Sequence, residues 1–142
     1  MIKRGEIPPI QNGYNHAPAA SAAPKLSTPR ITPLTFQNGI IKSAKFLPDG
    51  ETAIVSAAWE GGDLEIYKLC LKTNEMRGLG IKNAEILSVS SGGELAVALK
   101  SELWQGFNNP GTLAIMDSSG NAPRKILDNI QWADWHPSRK GN

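Results

Sequence analysis

The sequence predicts an all-β protein in which one four-stranded antiparallel sheet is written twice and begun a third time. Three observations predict it: a segment that recurs along the chain, turn residues set at strand-length intervals between apolar runs, and an ordinary globular composition. Of 142 residues, 40% are hydrophobic and 20% charged, with formal net charge +2, 14 glycines, 10 prolines and one cysteine. One domain with its own core fits that length. A lone thiol cannot close an internal disulfide, and two histidines with one cysteine make no zinc-site ligand set, so no metal or other cofactor is expected.

The chain opens with a leader, residues 1–29, which holds Pro8, Pro9, Pro18, Pro24 and Pro29 and almost no large apolar side chain. Such a segment cannot recover its ordering entropy by burial and reads as a disordered, polyproline-biased linker. Lys3, Arg4 and Lys25 against Glu6 give it a charge of +2, which leaves 12 basic and 12 acidic residues beyond it. A neutral remainder without a basic stripe argues against nucleic-acid binding through phosphates. No run approaches the roughly 20 apolar residues of a membrane helix, and the first six residues lack a signal peptide's apolar segment. As written the chain is untargeted and cytoplasmic, with no membrane insertion; an extracytoplasmic place in a longer parent stays open.

The repeat aligns Ser43-Ala44-Lys45-Phe46-Leu47-Pro48-Asp49-Gly50 with Leu87-Ser88-Val89-Ser90-Ser91-Gly92-Gly93 and with Ala133-Asp134-Trp135-His136-Pro137-Ser138-Arg139-Lys140. Phe46, Val89 and Trp135 stand 43 and 46 positions apart, close to the roughly 40–50 residues of one four-stranded propeller blade. In the first unit strands are expected at 42–47, 52–59, 64–71 and 76–79. They are separated by Pro48-Asp49-Gly50, Glu60-Gly61-Gly62-Asp63 and Lys72-Thr73-Asn74-Glu75. Glycine supplies positive φ, proline presets the first corner, and Asp or Asn bonds back to its own backbone. In the second unit strands are expected at 86–90, 94–100, 112–117 and 124–127. One stretch competes: residues 94–104 carry leucines at 95, 99 and 103 among good helix formers. The repeat sets that stretch opposite 52–59 and favours a strand.

The run Leu34-Thr35-Phe36, then Ile41-Lys42-Ser43-Ala44-Lys45-Phe46-Leu47-Pro48-Asp49-Gly50, then Ala53-Ile54-Val55-Ser56-Ala57-Ala58-Trp59 resembles the TolB-like, or WD-repeat-like, propeller repeat. The closing line Ile130-Gln131-Trp132-Ala133-Asp134-Trp135-His136-Pro137 resembles the same corner. The resemblance covers residues 30–142; it lacks the proline at Ser91-Gly92-Gly93 and the aspartate and glycine after Pro137. Ser56-Ala57-Ala58-Trp59-Glu60-Gly61 is similar to propellers attached to bacterial serine/threonine kinases and winged-helix regulators. The resemblance implies a non-catalytic sensing or partner-binding module of a bacterial signalling protein. A fragment of the gating propeller of a prolyl oligopeptidase- or tricorn-like serine peptidase is the alternative.

Residues 30–142 hold two blades and the first strand of a third, with residues 30–36 as a closing strand from the far end of the ring. A closed propeller has roughly 4–8 blades. Open blade faces exceed the apolar patch a soluble monomer tolerates and leave unpaired edges. The expected partners are therefore the remaining blades of a parent chain, a protein ligand, or copies that self-associate through those faces.

No catalytic residue is assigned. Ser88, Ser90, Asp134 and His136 carry no triad signature and no G-x-S-x-G elbow. Cys70 reads as a small buried apolar residue, and Pro48, Asp49 and Gly50 as a structural turn. Trp59, Trp132 and Trp135 fall on expected strands and read as core. Trp104 precedes the longest internal loop, so Trp104, Gln105, Phe107, Asn108 and Asn109 are the candidate partner-binding residues.

Overall fold

The computed structural model describes residues 25–102 and 110–137. Eight strands follow in order: β1 (Gly39–Phe46), β2 (Thr52–Trp59), β3 (Glu65–Cys70), β4 (Met76–Lys82), β5 (Ala84–Val89), β6 (Leu95–Leu99), β7 (Gly111–Met116) and β8 (Arg124–Ile130). They form two four-stranded antiparallel meanders, β1-β2-β3-β4 and β5-β6-β7-β8. The described residues contain no helix. The leucine-spaced stretch is strand over Leu95–Leu99, where packing on both faces of a central strand overrides helix propensity. No helix among the described residues is long and apolar enough to cross a membrane.

The two opening hairpins are built alike from different residues. At the first corner Leu47 N–H donates to the Thr52 carbonyl and Gly50 N–H to the Leu47 carbonyl; at the second, Ser90 N–H donates to Glu94 and Gly93 N–H to Ser90. Gly50 and Gly93 both take positive φ, 69° and 88°, a region costly for any residue with a Cβ. The proline missing from the second corner is thus dispensable. A bulge also recurs in each first strand, between Ile41 and Ser43 in β1 and between Ile86 and Ser88 in β5.

The third sheet is not shown. Residues 131–137 and residues 30–36, expected as strands, carry no ladder pairing. Residues 1–32 and 33–142 separate into two units. Of the first, residues 25–32 are irregular and exposed.

The two sheets pack through unlike faces. Ile54, Ile66 and Leu79 of the first sheet, with Leu47, share one core with Ala84, Ile86, Leu95, Val97, Ala114 and Met116 of the second. On the opposite face of the first sheet Ala53, Val55, Ala57 and Leu69 form a smaller cluster against Leu34, Trp59, Tyr67, Leu71 and Met76. Strand β2 is therefore buried on both sides, which is why its sequence shows almost no polar alternation.

Polar contacts fix the register of one sheet on the other. β5 is an edge strand, so half of its main-chain groups point away from β6. Ile86 N–H donates to Ser56 Oγ at 2.7 Å, and Ser43 Oγ donates to the Ile86 carbonyl at 3.0 Å. Ser43 and Ser56 are register partners in β1 and β2, so one pair of hydroxyls satisfies both groups of one residue in the next sheet. Ser56 is fully buried. Replacing it by Ala strands a buried donor, and Ser56→Ala is expected to lower unfolding free energy by about 1–3 kcal/mol. Ser88→Ala, by contrast, removes a buried hydroxyl without a partner and is expected to cost nothing or to stabilise slightly. Urea unfolding of the two variants against the parent checks both; equal losses would contradict the assignment.

Candidate functional site

The candidate loop residues Trp104, Gln105, Phe107, Asn108 and Asn109 lie outside the described residues. The residues on either side of that segment are described. On the β6 side Ser101 is buried, and its N–H donates to the Asn83 carbonyl at 2.8 Å. On the β7 side stands Gly111, where a Cβ would lie 2.7 Å from the Leu99 carbonyl oxygen. Only glycine permits that approach.

A polar knot holds the β6 end. Lys42 Nζ lies 2.9 Å from Glu85 Oε2 and donates to Ser101 Oγ at 2.9 Å. Ser101 Oγ donates in turn to Glu85 Oε2 at 3.2 Å, and Lys42 Nζ also lies 3.5 Å from the Glu102 carbonyl oxygen. Lys42 is the extra residue at the β1 bulge, and a bulge re-aims the side chain it carries. One strand of the first sheet thereby holds Ser101 and Glu102, which follow β6 in the second. The lysine and glutamate side chains keep 29% and 16% of their exposure, so the pair is partly desolvated and removing one partner costs more than at a fully exposed ion pair. Sequence reading missed Lys42, Glu85 and Ser101. The bulge that brings them together leaves no mark in composition or turn chemistry.

The turn residues Pro48, Asp49 and Gly50 sit exposed at the β1–β2 corner. Asp49 Oδ1 accepts the N–H groups of Glu51 and Thr52 at 2.8 and 2.9 Å, and Oδ2 accepts the Thr52 hydroxyl at 2.8 Å. The Glu51 N–H and then the Thr52 hydroxyl hold its carboxyl below the ordinary range. At the second hairpin the Ser90 hydroxyl takes that place, accepting Glu94 N–H at 2.9 Å. The β7–β8 turn carries a stronger version: Asp117 accepts the hydroxyl and N–H of Ser119 and the Asn121 amide. These hold its pKa at about 2, the Ser119 hydroxyl contributing most.

The other singled-out residues separate. Ser88 Oγ has no partner, Ser90 Oγ serves its turn, and Asp134 Oδ1 accepts Trp135 N–H at 2.8 Å. They are not assembled into a relay. Cys70 is half-exposed rather than buried, and the Thr73 hydroxyl and N–H lower its thiol pKa. Trp59 and Trp135 are half-buried, Trp59 packing edge-on to Tyr67 at 6.1 Å. Trp132, expected in the core, is 66% exposed, with Lys45 Nζ 5.7 Å from its ring centroid. Without a paired strand at 131–137, nothing turns that ring inward. A shallow cleft of about 390 Å³ beside β8 is lined by Thr112 and residues 125–128, but the Thr112 hydroxyl is engaged by Asp128 at 2.6 Å. The described residues contain no cluster of three His, Cys, Asp or Glu fit to hold a metal.

Lys42→Met leaves Glu85 and Ser101 without their cation and is expected to cost about 1–2 kcal/mol, with faster amide exchange at Ser101 than at Gly93. Native-state hydrogen exchange checks it, and unchanged Ser101 protection would contradict the anchoring role. Asp117 binds its proton less readily folded than unfolded. Its stabilisation is therefore complete above about pH 4 and lost as pH falls through about 2. Acid titration of stability should show that component in the parent and not in Asp117→Asn.

A scan against protein-family models finds no match for this chain, and a search of curated proteins likewise finds none.

Proposed function

We propose that the two sheets are consecutive blades of a TolB-like β-propeller that acts as a non-catalytic, protein-binding module of a bacterial signalling protein. The observation that carries this reading is the way the sheets stack. The face of the first bearing Ile54, Ser56 and Ile66 meets the opposite face of the second, which bears Ile86, Leu95 and Val97. Unlike faces meeting in one direction make a stack that can be extended by further sheets, as blades are around a ring. A bulge in the first strand of each sheet and a first turn closed by a positive-φ glycine in each support the same reading.

The recognition surface in this proposal is the loop from Trp104 to Asn109. Its two aromatic side chains, Trp104 and Phe107, are the residue types that dominate protein interfaces. The Lys42–Glu85–Ser101 knot and the close approach at Gly111 give it two rigid ends, which lowers the ordering cost of binding.

A photo-crosslinking residue placed at Phe107, with a control at exposed Lys125 on β8, tests the assignment in cells. A discrete crosslinked protein from position 107, absent from 125, is the expected result. Equal or no crosslinking at the two positions would contradict it.

A further inference from the structure

The entry to β1 places a reactive pair of residues at an open sheet edge. Of the asparagines among the described residues, Asn38, Asn74, Asn83, Asn121 and Asn129, Asn38 is the one followed by a glycine. It is exposed and lies in a bend directly before Gly39, the first residue of β1. Its side-chain amide makes no hydrogen bond to another described residue, whereas the Asn121 amide is held by Asp117.

The ladder sets the direction of the Gly39 nitrogen. Glu60 N–H donates to the Asn38 carbonyl at 2.9 Å, which makes Asn38 and Glu60 a hydrogen-bonded antiparallel pair. The next pair, Gly39 with Trp59, is of the alternate kind, whose main-chain groups point away from the partner strand. β1 is the outermost strand of its sheet, so the exposed Gly39 turns its N–H out from an open edge, one residue from an untethered amide. Packing also requires the glycine. A Cβ at Gly39 would overlap the Ala58 carbonyl oxygen and the Trp59 ring. The contact with Trp59 therefore keeps at this position the residue that leaves the nitrogen least shielded.

We propose that Asn38 is a site of spontaneous modification in the folded protein, where the Gly39 main-chain nitrogen attacks the Asn38 side-chain amide. The nitrogen gives its proton to solvent base as it bonds to Asn38 Cγ; the Cγ–Nδ2 bond breaks, and the nitrogen that leaves takes a proton from solvent and departs as ammonia. The five-membered succinimide so formed takes up one water at either of its carbonyls, giving aspartate or isoaspartate. Solvent water is the sole co-reactant, and nothing is oxidised or reduced. Nucleophile and amide share one dipeptide, which gives the step the high effective concentration of an intramolecular reaction. Both products alter the start of β1. Each sets a carboxylate opposite Glu60, and like charges facing across a strand pair repel. Isoaspartate also routes the main chain through the former side chain, adding an atom ahead of Gly39 and displacing the carbonyl that Glu60 N–H uses. The site is independent of the blade reading.

Mass mapping of the full chain, held folded or in urea at mildly alkaline pH and then digested with trypsin, tests the proposal. Cleavage after Arg30 and Lys42 isolates Asn38 in peptide 31–42, apart from the Asn12-Gly13 pair. Peptide 31–42 from the folded chain is expected to gain one mass unit and divide into aspartyl and isoaspartyl forms, at a rate of the same order as in urea. The peptides holding Asn74, Asn83 and Asn129 should stay unchanged over the same period. Asn38→Gln, at an exposed position, should abolish the gain. In the purified isoaspartyl chain, Glu60 N–H should exchange faster relative to Gly62 N–H, which donates to the Trp59 carbonyl. A peptide 31–42 that changes in urea but not in the folded chain would overturn the proposal, as would a mass gain that survives Asn38→Gln. Unaltered Glu60 exchange would overturn the stated effect on β1.

Discussion

The structure depends on one requirement: an edge strand buried between two sheets must have its outward main-chain groups satisfied by something other than a ladder. At Ile86 the Ser56 and Ser43 hydroxyls do this from the first sheet. An apolar contact alone would let the sheets slide by a residue at little cost, since Ile54, Ile66, Ile86, Leu95 and Val97 are similar in size. The two directional bonds remove that freedom, because a shifted register would leave a buried donor unpaired. The bulges in β1 and β5 serve the same end. They place Ser43 where it reaches its carbonyl and turn Lys42 toward Glu85.

Much of this fold is legible in the sequence because turn chemistry is local. Pro48-Asp49-Gly50, Glu60-Gly61-Gly62-Asp63 and Ser91-Gly92-Gly93 bound strands that form where expected, and β2 spans Thr52–Trp59 as read. What is not legible depends on contacts between distant residues. β4 and β8 run on to Lys82 and Ile130, beyond the expected 79 and 127, because β3 and β7 are there to pair with them. Residues 131–137 hold a strand-like pattern without a ladder partner, so Trp132 is exposed and no third sheet is shown. Ser90 replaces Asp49 at the second corner through its hydroxyl, an equivalence that residue identity conceals. Trp104 and the length of the segment after it are what mark residues 104–109 in the sequence; the knot beside that segment joins Lys42, Glu85 and Ser101 across two sheets.

The same serines connect fold and proposed role. A stack whose faces are complementary front to back is a scaffold that can be extended, and it presents its loops from rigid ends. The knot at Lys42 fixes Ser101, just beyond the end of β6. The seam between the sheets and the anchoring of Ser101 both act through the strand that opens each sheet.

Amide exchange at Ile86, followed by NMR in the folded protein, tests this account most directly. The Ile86 N–H points away from its own sheet, and if Ser56 accepts it in a closed seam it will exchange with the slowest class of core amides in β2 and β6. Exchange at the rate of open edge-strand amides such as those of β8 would mean that the seam is open, and that the stacked sheets are not held as described.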